Sequence, residues 1–148
     1  MPPFRTSSLP RLVHLLACVS FAPLAGAASD PSVEALLPLA PEIRQIFDNR
    51  CVMCHGEVID DAPEIREDLD LSTDEKIRET LVSARILADQ LAKDEMPQKA
   101  KLSFRLRRRA DMQDRLKSIK EEYEAHGEKA VLLNWLAAAG TTPTPEDS

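Results

Sequence analysis

The chain has 148 residues, enough for one domain, and it carries a net charge of −6 with 30% charged side chains. This acidic balance argues against a nucleic-acid-binding protein, because phosphate backbones attract basic surfaces. Aromatic residues make up only 4% of the chain, so its side chains alone fill a core poorly, and a large buried cofactor would supply the missing apolar volume.

The N-terminus has the pattern of an export signal over residues 1–27. Two arginines precede a short apolar run, and Ala25-Gly26-Ala27 forms a small-x-small cleavage site. The run is too short for a membrane span, which needs about 20 residues. We therefore expect a periplasmic protein whose mature chain begins at Ala28. A retained membrane anchor and a lipid anchor on Cys18 stay open as alternatives.

Residues 28–40 contain Pro31 and Pro38, which predict an irregular N-terminal tether. Pro41 suits the first turn of a helix, and we expect a helix from there to about Cys51. Its apolar face would carry Ile43, Ile46 and Phe47.

The run Cys51-Val52-Met53-Cys54-His55 at the end of this helix is the attachment signature of c-type haem. Each cysteine sulfur can form a thioether to one vinyl group of a porphyrin, and the adjacent imidazole is placed to bind the iron. A zinc site would need four ligands, and after export cleavage only His126 joins these three as a good nitrogen or sulfur ligand. A redox dithiol normally accompanies a βαβ pattern, and no β pattern is visible. The run therefore predicts one covalently bound haem c, with its iron on His55.

Residues 56–70 predict a loop with seven carboxylates against one base, Arg66. It is either a solvated surface or a patch for a basic partner, and it lacks the regular alternation of a calcium loop. Ser72-Thr73-Asp74-Glu75 is a capping box with Ser72 as N-cap, and it predicts a helix to about Lys93. One stripe of that helix would face the porphyrin or the other helices: Ile77, Leu81, Ala84, Ala88 and Leu91.

Met96-Pro97 ends this helix, because proline pushes the residue before it into an extended conformation. A His/Met pair is the usual axial set of electron-transfer haems. Met96 follows His55 by 41 residues, which allows the chain to wrap around a porphyrin, so we expect it to be the distal ligand. Met112, His126 and an open or water-bound site stay open as alternatives.

The segment 99–127 predicts a long charged helix or helix pair, basic in its first half, with an apolar face that includes Ile119 and Tyr123. It is either a docking face for an acidic partner or anionic lipid, or a plain solvated helix. The last helix is expected over 128–139, with Gly140 ending it. Residues 141–148 are expected to form a disordered tail.

These features resemble the class I c-type cytochromes, and most closely their planctomycete-type domains. The likeness rests on Phe47 four residues before the first cysteine, on the attachment run, on Met96-Pro97 and on Trp135 in the last helix. In that family the first and last helices cross near the two aromatic residues. The family commonly has glycine where this chain has Ile43, so the two helices are expected to cross further apart.

The resemblance implies an all-α, cytochrome c-like helical fold wrapped around one haem, formed by residues 41–140. The charged segment 99–127 would be a helical insertion. The cofactor-binding residues would be Cys51, Cys54, His55 and Met96, the last two as ligands of the haem iron.

The resemblance also implies a periplasmic carrier of single electrons rather than an enzyme. Its partners would be redox proteins: a dehydrogenase or quinol-oxidising complex as donor, and a terminal oxidase or reductase as acceptor. Nucleic acid is not expected as a partner, and a membrane only through a lipid anchor or a partner complex. The alternatives are a haem peroxidase or gas sensor with an open distal site, and a haem subunit of a larger oxidoreductase complex.

Overall fold

A computed structural model describes residues 31–145 of the chain. The proposed export signal and Cys18 lie outside the described residues. Within them the helices and strands are, in chain order, α1 (Pro41–Ile46), β1 (His55–Ile59), β2 (Ala62–Ile65), α2 (Asp74–Thr80), α3 (Ala84–Ala92), α4 (Ala110–Ala125) and α5 (Glu128–Ala138). A 3₁₀ turn at Val33–Leu36 precedes α1, and a π-helical turn at Phe47–Cys51 extends it. No helix in this part of the chain is long and apolar enough to cross a membrane.

The expected all-α fold is wrong, because β1 and β2 pair as a two-stranded antiparallel sheet and make this a mixed α/β fold. His55 pairs with Ile65, and Ile59 pairs with Ala62. The sheet occupies the stretch that its acidic composition predicted to be a loop. The turn between the strands explains the difference: Asp60 and Asp61 both have left-handed backbones, with φ values of 51° and 60°. Aspartate tolerates this conformation in two-residue hairpin turns.

Arginines from the charged segment hold the acidic hairpin in place. Arg105 donates to the carbonyl oxygen of Ile59 at 2.6 Å and to the carboxylate of Glu64 at 3.0 Å. Arg115 makes a two-pronged contact with Glu57, at 2.7 and 2.6 Å. Arg109 binds Asp60. The acidic and basic stretches therefore neutralise each other in part, and these three arginines serve the fold.

The helices differ from the predicted ones mainly at their ends. Pro41 starts α1, as predicted. Thr73 rather than Ser72 caps α2, its hydroxyl accepting from Lys76 N at 3.1 Å. The single helix predicted to about Lys93 is broken by an extended Leu81, and Ser83 caps the new start of α3. Residues 99–109 form turns rather than helix, so α4 starts only at Ala110.

The core gathers buried side chains from the 3₁₀ turn and from all five helices. Phe47 and Trp135 meet edge to face, with ring centroids 6.1 Å apart at 87°, so the contact expected from the resemblance is present. The apolar stripe predicted between residues 77 and 91 is buried throughout. After α5 the described chain lies against α3, where Thr144 donates to Asp89 from its backbone and its hydroxyl.

Candidate functional site

The site is built where three turns of the chain meet. The π-helical turn ends at Cys51, and two tight turns follow, in which Cys54 N donates to Cys51 O and His55 N donates to Val52 O. These turns bring His55 to the start of β1. Met96 comes from the turn after α3. The structure therefore brings together His55 and Met96, which are 41 residues apart in the sequence.

The imidazole of His55 is buried and has a polar partner at each nitrogen. Nδ1 lies 3.2 Å from the carbonyl oxygen of Leu69, and Nε2 lies 3.1 Å from Sδ of Met96. Burial lowers the pKa of the His55 imidazole below its ordinary value, so the ring carries one proton at neutral pH. A backbone carbonyl accepts a hydrogen bond far better than a thioether does. The proton therefore sits on Nδ1 and is donated to Leu69.

This tautomer leaves two electron-pair donors facing each other. Nε2 of His55 is then unprotonated, and a thioether sulfur has no proton to donate. No hydrogen bond can form between them, although they are 3.1 Å apart. Two facing lone-pair donors are a donor set for a Lewis acid, which needs a wider gap than this 3.1 Å. A second nitrogen donating to a backbone carbonyl is the usual way in which a ligating histidine is oriented.

A cavity of about 560 Å³ opens beside this pair, within the range of about 300–1,000 Å³ that small-molecule and cofactor sites occupy. Its wall includes Cys54, His55 and Met96, together with apolar side chains from the end of α2 to α3. A smaller, largely apolar cavity of about 20 Å³ shares part of this wall. Cys51 lines the smaller cavity, together with Cys54, His55 and Met96. The four residues predicted to bind the cofactor therefore all line the smaller cavity, and Cys54, His55 and Met96 line the larger one as well.

The two thiols are poorly suited to dithiol chemistry. Burial raises the pKa of the Cys51 thiol to about 12, and burial also raises the pKa of Cys54. Both are therefore protonated at neutral pH, whereas redox-active dithiols have a depressed pKa that supplies the thiolate. For zinc, the described residues contain no group of three or more His, Cys, Asp or Glu side chains placed to hold a metal ion.

The alternative axial ligands lie elsewhere. His126 is 62% exposed beside Glu128 at the end of α4, and neither His126 nor Met112 lines the two cavities. Met53 is buried and does not line them either. Of Met53, Met96, Met112 and His126, Met96 is the one whose side chain reaches His55.

Sequence reasoning missed three parts of the site. The carbonyl of Leu69 has no side-chain signature, because any residue supplies a carbonyl. Val82 and Ile86 line the cavity although they are 88% and 49% exposed. The sequence held one signal near Val82. The next residue, Ser83, is a good N-cap, which predicts a helix start at Ala84.

Comparison of the chain with protein-family models, with curated proteins and with solved structures finds no match. Inference of function therefore rests on the chemistry and geometry of these residues.

Proposed function

We propose that this protein is a periplasmic monohaem c-type cytochrome that carries single electrons between redox proteins. The observation that carries the proposal is the facing pair of lone-pair donors, His55 Nε2 and Met96 Sδ, which line two cavities together with Cys54, while Cys51 lines the smaller of the two. The attachment run and its resemblance to the class I c-type cytochromes support the same cofactor.

The residues present fit a haem. Cys51 and Cys54 would anchor the porphyrin through thioethers, and His55 and Met96 would hold the iron from opposite sides. Ordinary metal–nitrogen and metal–sulfur distances of about 2.0 and 2.3 Å span more than the 3.1 Å between the two atoms. The two side chains would therefore have to move apart to admit an iron. Met96 lies in a turn and is freer to move than His55, which lies in a strand.

A bound haem supplies a redox centre that gains or loses one electron. Leu69 fixes the ring of His55, which strengthens the imidazole as a ligand. Met96 is a soft donor that favours ferrous iron and raises the reduction potential. With His55 and Met96 both supplied by this chain as ligands, the iron would have no open position for peroxide or a gas, and the protein would act as a carrier and not as an enzyme. A dehydrogenase or quinol-oxidising complex would donate electrons, and a terminal oxidase or reductase would accept them.

The test is the absorption spectrum of the protein produced in cells that attach haem c, oxidised and reduced. Wild type is expected to be low-spin, with the weak charge-transfer band of iron–thioether ligation in the oxidised form. Met96→Ala is expected to lose that band and to bind carbon monoxide when reduced. Met112→Ala is the matched control, because Met112 does not line the cavity, and it should keep the wild-type spectrum.

Two results would contradict the proposal. Absence of covalently bound haem would remove the cofactor. A high-spin wild-type spectrum that Met96→Ala leaves unchanged would mean an open iron, and would favour a peroxidase or gas sensor.

A further inference from the structure

The basic side chains of the described residues fall into two groups. Most have a carboxylate partner, as Arg50 has in Glu128. Six have none within residues 31–145: Arg66, Lys93, Lys101, Arg107, Arg108 and Lys120. The last four of these all lie between residues 101 and 120. Unneutralised positive charge is therefore concentrated there, although the protein as a whole is acidic.

Three of these four cations line an open groove of about 420 Å³, together with Lys117. We call this the basic groove; its walls include Lys101, Leu102, Arg107, Leu116, Lys117 and Lys120. No aspartate or glutamate lines it. Lys120 donates to Ala100 O at 2.8 Å, which fixes its charge at the wall. A surface that gathers four cations, of which Lys117 also has a partner in Glu121 at 3.8 Å, attracts a protruding anion.

An exposed aromatic residue stands next to the basic groove. Phe104 is 63% exposed, and the guanidinium groups of Arg107 and Arg108 lie over its ring, 4.5 and 4.9 Å from the centroid. A guanidinium stacked on a ring keeps its in-plane N–H donors for a carboxylate. Aromatic residues and arginine are also enriched in the residues that dominate protein–protein affinity.

The basic groove shares a wall with the candidate haem cavity, because Ala100 and Lys101 line both. We propose that the basic groove docks an acidic, carboxylate-bearing protrusion of a redox partner protein, next to the His55–Met96 site. The exposed Phe104 with Arg107 and Arg108 beside the groove suits a protein partner better than a bilayer, because aromatic residues and arginine dominate protein–protein affinity. The docking follows from the charges of the groove, and only its redox role rests on the proposed function.

The first test measures binding without using haem activity. A fluorescein-labelled oligoglutamate peptide is titrated at low salt into the haem-free and haem-loaded protein, with phosphatidylglycerol vesicles tested in parallel. The double variant Arg107→Glu/Lys117→Glu reverses two groove charges that do not line the haem cavity. The control Arg78→Glu/Lys76→Glu makes the same charge change on α2. We expect the groove variant to bind the peptide about tenfold more weakly, and the control to stay close to wild type.

The second test links the groove to the redox site in haem-loaded protein. Oxidation of the reduced protein by ferricyanide, an anion, should slow in the groove variant and hardly change in the control. Oxidation by the cation tris(phenanthroline)cobalt should not slow. Absence of haem would remove this second readout and refute the proposed function, while the peptide titration would still decide the docking.

Several outcomes would overturn the docking proposal. They are no peptide binding by wild type, equal weakening in both variants, and a groove variant that loses vesicle binding while it keeps the peptide. Thermal melts of both variants check that neither is unfolded.

Discussion

We predict that the contact of Arg105 with the β1–β2 hairpin makes a measurable contribution to the stability of the protein. Arg105 donates to Ile59 O and to Glu64, whose side chain is only 8% exposed. In Arg105→Ala that carboxylate loses its ionic partner while it remains buried. Removing one member of a fully buried pair costs about 3–5 kcal/mol, but Arg105 is itself 38% exposed, so water offsets part of the loss. We therefore expect Arg105→Ala to lower the free energy of unfolding by about 2 kcal/mol.

Arg109→Ala is the internal control. Its partner Asp60 is 62% exposed, and exposed pairs contribute about 0.2–1 kcal/mol. The assay is urea unfolding followed by far-UV circular dichroism. With a slope of roughly 1–3 kcal/mol per molar urea, Arg105→Ala should lower the midpoint by about 1 M and Arg109→Ala by much less. Equal, small shifts for the two variants would refute the idea that the buried pair anchors the hairpin.

Two further predictions concern the residues around the attachment run. Gly56 has φ of 136°, and a Cβ there would lie 2.5 Å from Asp70 Oδ1, whereas Gly127 has open space around it. Gly56→Ala should therefore cost more than about 3 kcal/mol by urea unfolding and Gly127→Ala about 1–2 kcal/mol; similar costs would contradict the close approach. Because folding raises the pKa of Cys51 from 9.0 to about 12, haem-free protein should lose stability as pH rises from about 9 to about 12. Cys51→Ala and thioether formation should each weaken that loss in urea titrations, and an unchanged pH dependence in both would contradict it.

Features that depend on local chemistry could be predicted from the sequence. The start of α1 at Pro41 and the burial of the stripe from Ile77 to Leu91 follow from residue type and spacing. Met96 could be singled out because it precedes a proline at a helix end, and its side chain does reach His55.

Features that depend on partners distant in the chain could not be predicted. Seven carboxylates between residues 56 and 70 indicate a solvated loop unless cations neutralise them, and the arginines that do so are 41 to 58 residues away. The neighbouring residues Asp60 and Asp61 weakly indicate a hairpin turn. Pro63, which lies in the second strand, argues against a strand there. Residues 99–109 are not helical, and Arg105 reaches the hairpin from a turn within them.

The hydrogen bond from His55 to Leu69 has a consequence for how this protein tolerates mutation. The acceptor is a main-chain oxygen, so a change of side chain at position 69 leaves it in place. Leu71 N also donates to His55 O at 2.7 Å, which joins the same two stretches of backbone a second time. Which ring nitrogen of His55 keeps its lone pair is thus set by backbone geometry and not by any one side chain. A substitution at position 69 can therefore alter the packing around the imidazole of His55 and leave the tautomer of that ring unchanged.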